Sequence, residues 1–125
     1  MAGLKNVLII EDEAMIRDLY RTVLVRDGRS VQVAADSKEA FKILQKFHPD
    51  VVLLDIILPG LSGLSILKEL RDNAEYGCQK AIILLLTDLT QHDLDNTAFE
   101  NRADGYIIKA DILPPDLCKV IHALE

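Results

Sequence analysis

The sequence has no apolar run near the roughly 18 residues that a membrane span requires. Nor does its opening, MAGLKNVLII, have the apolar core and cleavage site of a secretory signal. Cysteine is scarce: Cys78 and Cys118 lie far apart and make no metal-binding spacing, so free thiols in a reducing cytoplasm are expected. Basic clusters are missing too. Fourteen Lys and Arg against twenty Asp and Glu leave a net charge of −6, which argues against a general nucleic-acid surface. There are no internal repeats, low-complexity tracts or linkers. With 125 residues, half of them hydrophobic and 27% charged, the chain is expected to form one globular domain over residues 1–125.

What is present is alternation. Short β-branched apolar runs recur at Val7–Ile10, Val31–Ala34, Val51–Leu54, Ala81–Leu86 and Tyr106–Ile108. They are nearly continuous in hydrophobicity, as expected of parallel strands covered on both faces. Helical stripes separate them. Ile16, Leu19, Tyr20 and Val23 line a helix from about Glu13 to Asp27, and Phe41 and Leu44 line a second, with Ser37 as N-cap. Leu64, Leu67 and Leu70 form a third stripe after Gly63. A fourth helix opens at Thr90 with only Leu94, Ala98 and Phe99 for apolar contact. Leu113, Leu117, Val120, Ile121 and Leu124 form the last stripe, its first turn holding Pro114 and Pro115. Five strands alternating with five helices predict an α/β doubly wound parallel sheet.

In such sheets ligands bind beyond the carboxyl ends of the strands. The third apolar run, VVLLD, ends there on Asp55, a carboxylate too costly to bury without a cationic partner. Glu11, Asp12 and Glu13 follow the first strand, Thr87 and Asp88 the fourth, and Lys109 ends the fifth. Glu11 and Asp12 crowd Asp55, with Lys109 as the nearby cation. Carboxylates so clustered repel unless a cation sits among them, and an oxygen-only donor set suits Mg²⁺. A phosphoryl group arriving there finds a metal, an ammonium and a hydroxyl for its oxygens.

The ordered set VLIIEDE, HPDVVLLDIILPGLSG, IILLLT and ADGYIIKA resembles the receiver domain of bacterial two-component response regulators, over nearly the whole chain. That resemblance implies a CheY-like, flavodoxin-like sheet of order 2-1-3-4-5. It implies Asp55 as phosphoacceptor, Glu11 and Asp12 as the acidic pair, and the backbone carbonyl of Ile57 as a further Mg²⁺ contact. Thr87 and Lys109 hold the phosphoryl group, and Tyr106 changes rotamer with the state of Thr87. The expected partners are a histidine kinase or phosphotransfer protein and an output partner, reached through the fourth helix, fifth strand and fifth helix. The expected setting is cytoplasmic, with no direct nucleic-acid or membrane contact. The domain assists only its own modification and turns over no external metabolite.

Three residues depart from the family pattern. Glu11 replaces the usual Asp, Asp88 the usual small residue, and Ala110 the usual Pro. Because a cis bond before a non-proline residue costs roughly 2.5–4 kcal/mol, the Lys109–Ala110 bond is expected to be trans, with Lys109 still aimed at Asp55. The rival reading is a pseudo-receiver, an unphosphorylated interaction module. An aspartyl phosphatase is disfavoured by Ile57, where such enzymes carry a second Asp. A flavin-phosphate site is disfavoured by EDE after the first strand. His48, His92 and His122 share no ligand spacing and are read as solvent-side residues.

Overall fold

A computed structural model describes residues 3–88 and 102–125. Its strands are β1 (Asn6–Ile10), β2 (Ser30–Ala34), β3 (Val51–Asp55), β4 (Ile82–Thr87) and β5 (Gly105–Ile108). They form one sheet in the order β2-β1-β3-β4-β5, and every pairing is parallel. Helices α1 (Ala14–Arg26), α2 (Ser37–Leu44) and α3 (Gly63–Asp72) and the C-terminal helix (Asp116–Leu124) complete the doubly wound fold among the described residues. The fourth helix expected from Thr90 lies outside them.

The continuous hydrophobicity of the strands follows from their two covered faces. Leu8, Ile10, Val52, Leu54, Ile83 and Leu85 pack with Ala40 and Leu44 of α2 and Ile66, Leu67 and Leu70 of α3. The alternate residues Val7, Ile9, Val51, Leu53, Leu84 and Leu86 pack with Tyr20 and Leu24 of α1 and Leu117 and Ile121 of the C-terminal helix. Side chains alternate along a strand, so each inner strand needs apolar residues at both parities. β2, at an edge, relaxes that demand: Ser30 and Gln32 are exposed.

Four helix details differ from the sequence reading. Leu19 is 47% exposed, because α1 centres its buried face on Tyr20 and Leu24, and Leu19 sits about 100° round the helix from Tyr20. Asp36, not Ser37, is the N-cap of α2; its carboxylate accepts from the Glu39 backbone N–H at 2.9 Å. Leu113 is 70% exposed and precedes the C-terminal helix, whose entry is a turn through Pro114 and Pro115. There the Asp116 carboxylate accepts from the Leu113 N–H at 2.8 Å. Leu124, in the last turn, is exposed as well.

Leu67→Ala should lower the unfolding free energy by about 2–5 kcal/mol, the range for emptying a fully buried leucine site. Leu19→Ala should change it by less than about 0.5 kcal/mol, as at an ordinary surface position. Urea denaturation of both variants checks the assignment of the two side chains.

Candidate functional site

The parallel register decides what meets at the carboxyl edge. Ile10 lies beside Leu54, Asp55 beside Leu86, and Thr87 beside Ile108. Glu11, Asp55, Thr87 and Lys109 therefore leave or end their strands at nearly one level. They and their neighbours enclose a cavity of about 150 Å³ lined by Asp12, Glu13, Asp55, Ile57, Thr87, Asp88 and Lys109.

Lys109 organises the floor. Its Nζ donates to Asp55 Oδ2 at 2.9 Å and to Glu11 Oε2 at 3.0 Å, and Glu13 Oε1 lies 4.0 Å away. All three principal groups are buried, Glu11 completely. The remaining carboxylate oxygens are also engaged. Glu11 Oε1 accepts from the Glu13 N–H at 3.2 Å, and Asp55 Oδ1 accepts from the Ile57 N–H at 3.0 Å. From α1, Arg17 Nη1 donates to the Glu11 carbonyl at 2.9 Å, holding the β1–α1 turn. Burial pushes the Glu11 carboxyl up to about 7, reinforced by its neighbour Asp55 and opposed by Lys109. Burial by itself would lower the Lys109 ammonium, but hydrogen bonds to Asp55 and Glu11 hold it above its ordinary value.

Glu11, Asp12 and Asp55 each offer a carboxylate oxygen within 4.8 Å of the others. An all-oxygen set beside one ammonium suits a hard divalent cation that keeps part of its water shell. Asp12 is exposed, on the open side of the cluster, whereas Glu11 lies behind it with both oxygens already accepting hydrogen bonds. Thr87 is buried in the cavity wall, and Ile57 stands at the rim with its side chain 69% exposed. Tyr106 is placed differently. It pairs across from Leu85 and is half-buried against the core layer beneath α2 and α3, outside the cavity lining.

The peptide bond after Lys109 is trans, as the alanine at position 110 leads one to expect. A short 3-10 turn, Lys109–Asp111, carries the chain away while the lysine side chain points inward. Two supports were not assigned a role from sequence. Glu13 lines the cavity and closes on Glu11 through its backbone. Gly63, read there only as the start of a helix, packs directly on the β3–α3 turn: a Cβ at this position would lie 2.0 Å from the Asp55 carbonyl oxygen. Its N–H donates to the Ile56 carbonyl at 2.9 Å, and Ser62 caps α3 by accepting from the Ser65 N–H. The available signal was a glycine opening a helix soon after a strand-end acid, where close backbone approach is one of the few reasons to place glycine.

The chain belongs to the response regulator receiver domain family, whose profile matches residues 7–122. This is the signalling family of two-component systems. Among curated proteins, the chain is 37% identical over 105 residues to the probable transcriptional regulator ycf27 of Porphyridium aerugineum, covering 84% of this chain and 42% of that one. It is 30% identical over 120 residues to the nitrate/nitrite response regulator protein NarL of Escherichia coli K12, covering 94% and 53%. The chain thus spans about half the length of these relatives. The chemotaxis protein CheY4 of Vibrio cholerae superposes with a TM-score of 0.86 at 28% identity, covering 98% of this chain and all of that one. The response regulator TrrA of Thermotoga maritima, solved in complex with Mg²⁺–BeF, gives 0.79 at 30% identity, covering 97% and 99%.

Two outcomes follow from the geometry. In metal-free protein, the raised Glu11 carboxyl keeps its proton in the fold after the unfolded chain has lost it. This contribution is complete below about pH 4.5, the ordinary carboxyl value, and is lost as pH rises through about 7. Urea midpoints measured across that window in a chelating buffer should fall with pH, and Glu11→Gln should flatten the slope. Separately, Gly63→Ala should destabilise by about 1–3 kcal/mol or more, the usual range for overpacking, because its Cβ meets backbone instead of a flexible side chain. Thermal or urea unfolding tests it.

Proposed function

We propose that residues 1–125 act as one receiver unit, a phosphorylation-dependent switch in which Asp55 accepts a phosphoryl group from a histidine kinase or phosphotransfer protein. The observation that carries this reading is the Asp55 carboxylate in a small cavity, 2.9 Å from a buried ammonium and within 4.8 Å of two further carboxylates. In the transfer, an Asp55 oxygen attacks phosphorus as the P–N bond to the donor imidazole breaks. The bonding pair leaves with the imidazole nitrogen, and the carboxylate becomes an acyl phosphate. Lys109 then turns from the Asp55 carboxylate to the phosphoryl oxygens, and the Thr87 hydroxyl donates to another of them. Glu11, Asp12, Asp55 and the Ile57 carbonyl would hold Mg²⁺, which would supply charge neutralisation at the phosphoryl oxygens. The positioned groups here do electrostatic work only, so the domain aids its own phosphorylation and hydrolysis without acting on an external metabolite.

The signal then runs from Thr87 to Tyr106, whose ring reorients and alters the surface made by residues 90–101, β5 and the C-terminal helix. Residues 90–101 lie outside those described. An output domain or separate partner reads that surface, in a cytoplasmic setting. No helix among the described residues is long and apolar enough to cross a membrane. A pseudo-receiver is the competing reading, raised by the Asp88 carboxylate in the cavity wall and by Ala110.

Prolonged incubation with phosphoramidate or acetyl phosphate should add one phosphoryl group only when Mg²⁺ is present, read by intact mass and mapped to Asp55. Asp55→Asn should abolish the gain, and Asp12→Ala should weaken its dependence on Mg²⁺. A gain surviving Asp55→Asn and mapping elsewhere overturns the assignment. Absence of any gain, together with no heat of Mg²⁺ binding, favours the pseudo-receiver.

A further inference from the structure

The mouth of the cavity carries more negative charge than phosphoryl transfer to Asp55 requires. Asp88 follows Thr87 directly at the end of β4, is exposed, and lines the cavity together with Asp55 and Lys109. Glu13 lines the same mouth from the α1 side. Among the described residues Lys109 is the one cation in that lining, and its ammonium is already engaged at 2.9 and 3.0 Å by Asp55 and Glu11. Arg17, the nearby guanidinium on α1, is turned to the Glu11 backbone carbonyl. A divalent ion held among Glu11, Asp12 and Asp55 would offset charge at the floor and leave the Asp88 carboxylate unmatched at the entrance, while Glu13 lies 4.0 Å from an ammonium that two other carboxylates already engage.

We infer that Asp88 selects the phosphodonor by charge, repelling small, doubly anionic donors and admitting the phosphoryl group from a protein that brings cationic side chains with it. The inference rests on Asp55 being the phosphoacceptor. With acetyl phosphate, an Asp55 oxygen attacks phosphorus, the P–O bond to the acetyl group breaks, and acetate departs with the bonding pair. The donor brings only negative charge past Asp88. A protein donor instead surrounds its phosphoimidazole with side chains, and a lysine or arginine placed near it pairs with Asp88 or Glu13. The same two carboxylates then attract the correct donor and exclude the wrong one, which is specificity through a repulsive element. Because Asp88 is exposed, it avoids the desolvation cost that the buried carboxylates carry. Two unit charges about 4 Å apart in water interact by an amount worth about fivefold in rate, and a doubly charged donor feels more.

The test compares the wild-type chain with Asp88→Asn and Asp88→Glu at Mg²⁺ concentrations shown to saturate each. Phosphorylation rates are read by intact mass with acetyl phosphate, doubly charged at neutral pH, and with phosphoramidate, singly charged there. Asp88→Asn should accelerate the acetyl phosphate reaction about five- to twentyfold and the phosphoramidate reaction less. Asp88→Glu should stay close to wild type, and added salt should narrow the gap. If Asp55 is phosphorylated but Asp88→Asn is no faster than wild type, or gains equally with both donors, the inference fails while the phosphoacceptor reading stands. If no protein gains a phosphoryl group at Asp55 from either donor, the phosphoacceptor reading fails and this inference falls with it.

Discussion

One ammonium holds the carboxyl edge of this sheet together. Glu11 and Asp55 are two carboxylates almost wholly removed from water, and neither is tolerable there beside the other without Lys109 between them. Desolvating such ions costs several kcal/mol each, and removing one member of a buried pair leaves the other uncompensated. The protein meets that cost with geometry: every carboxylate oxygen of Glu11 and Asp55 accepts a hydrogen bond from Lys109 or a backbone N–H. Among the described residues no buried side-chain nitrogen or oxygen lacks a partner. The site is balanced, and it is balanced only while β5 stays in the sheet to deliver its lysine.

The rest of the fold supports that arrangement. Asp55 shares its strand parity with Val51 and Leu53, which pack under α1 and the C-terminal helix. The turn after it is pinned from below, where the Ile56 N–H donates to the Leu86 carbonyl at 3.1 Å, and from the side by Gly63. Gly60, at φ +75° directly after Pro59, lets the loop reverse before α3 begins. The phosphoacceptor proposed here is therefore held on rigid elements, while the acids that face the entrance, Asp12, Glu13 and Asp88, remain in solvent. Fixed charge thus lies at the floor and solvated charge at the mouth.

The departures from the family pattern take on separate meanings in this setting. Ala110 leaves the preceding bond trans, yet Lys109 reaches both carboxylates, because the direction of β5 and the two charge-assisted hydrogen bonds aim it. Glu11 is engaged by Lys109 and the Glu13 N–H and lies behind the exposed Asp12. Among the described residues, Asp88 has no hydrogen bond to this inner set and stands exposed at the mouth of the cavity.

Fold class, strand count and the identity of the acidic edge were legible in the sequence because each depends on short-range pattern. A buried parallel strand must be apolar at both parities, and a carboxylate ending such a strand must lie at the rim. The family motifs carried the strand order and assigned roles along the chain. What the sequence left open were quantities set by neighbours distant in the chain. Leu19 and Leu113 are as apolar as Leu24 and Leu117, and only the placement of the sheet decides which of them are covered. That Lys109 bridges Asp55 and Glu11, which lie 54 and 98 residues away along the chain, follows from parallel register. That Gly63 must be glycine follows from a backbone approach made by β3, and that Tyr106 stands apart from the cavity follows from its pairing with Leu85. Local composition determined which residues were suited to the edge; the packing of the sheet decided which of them touch.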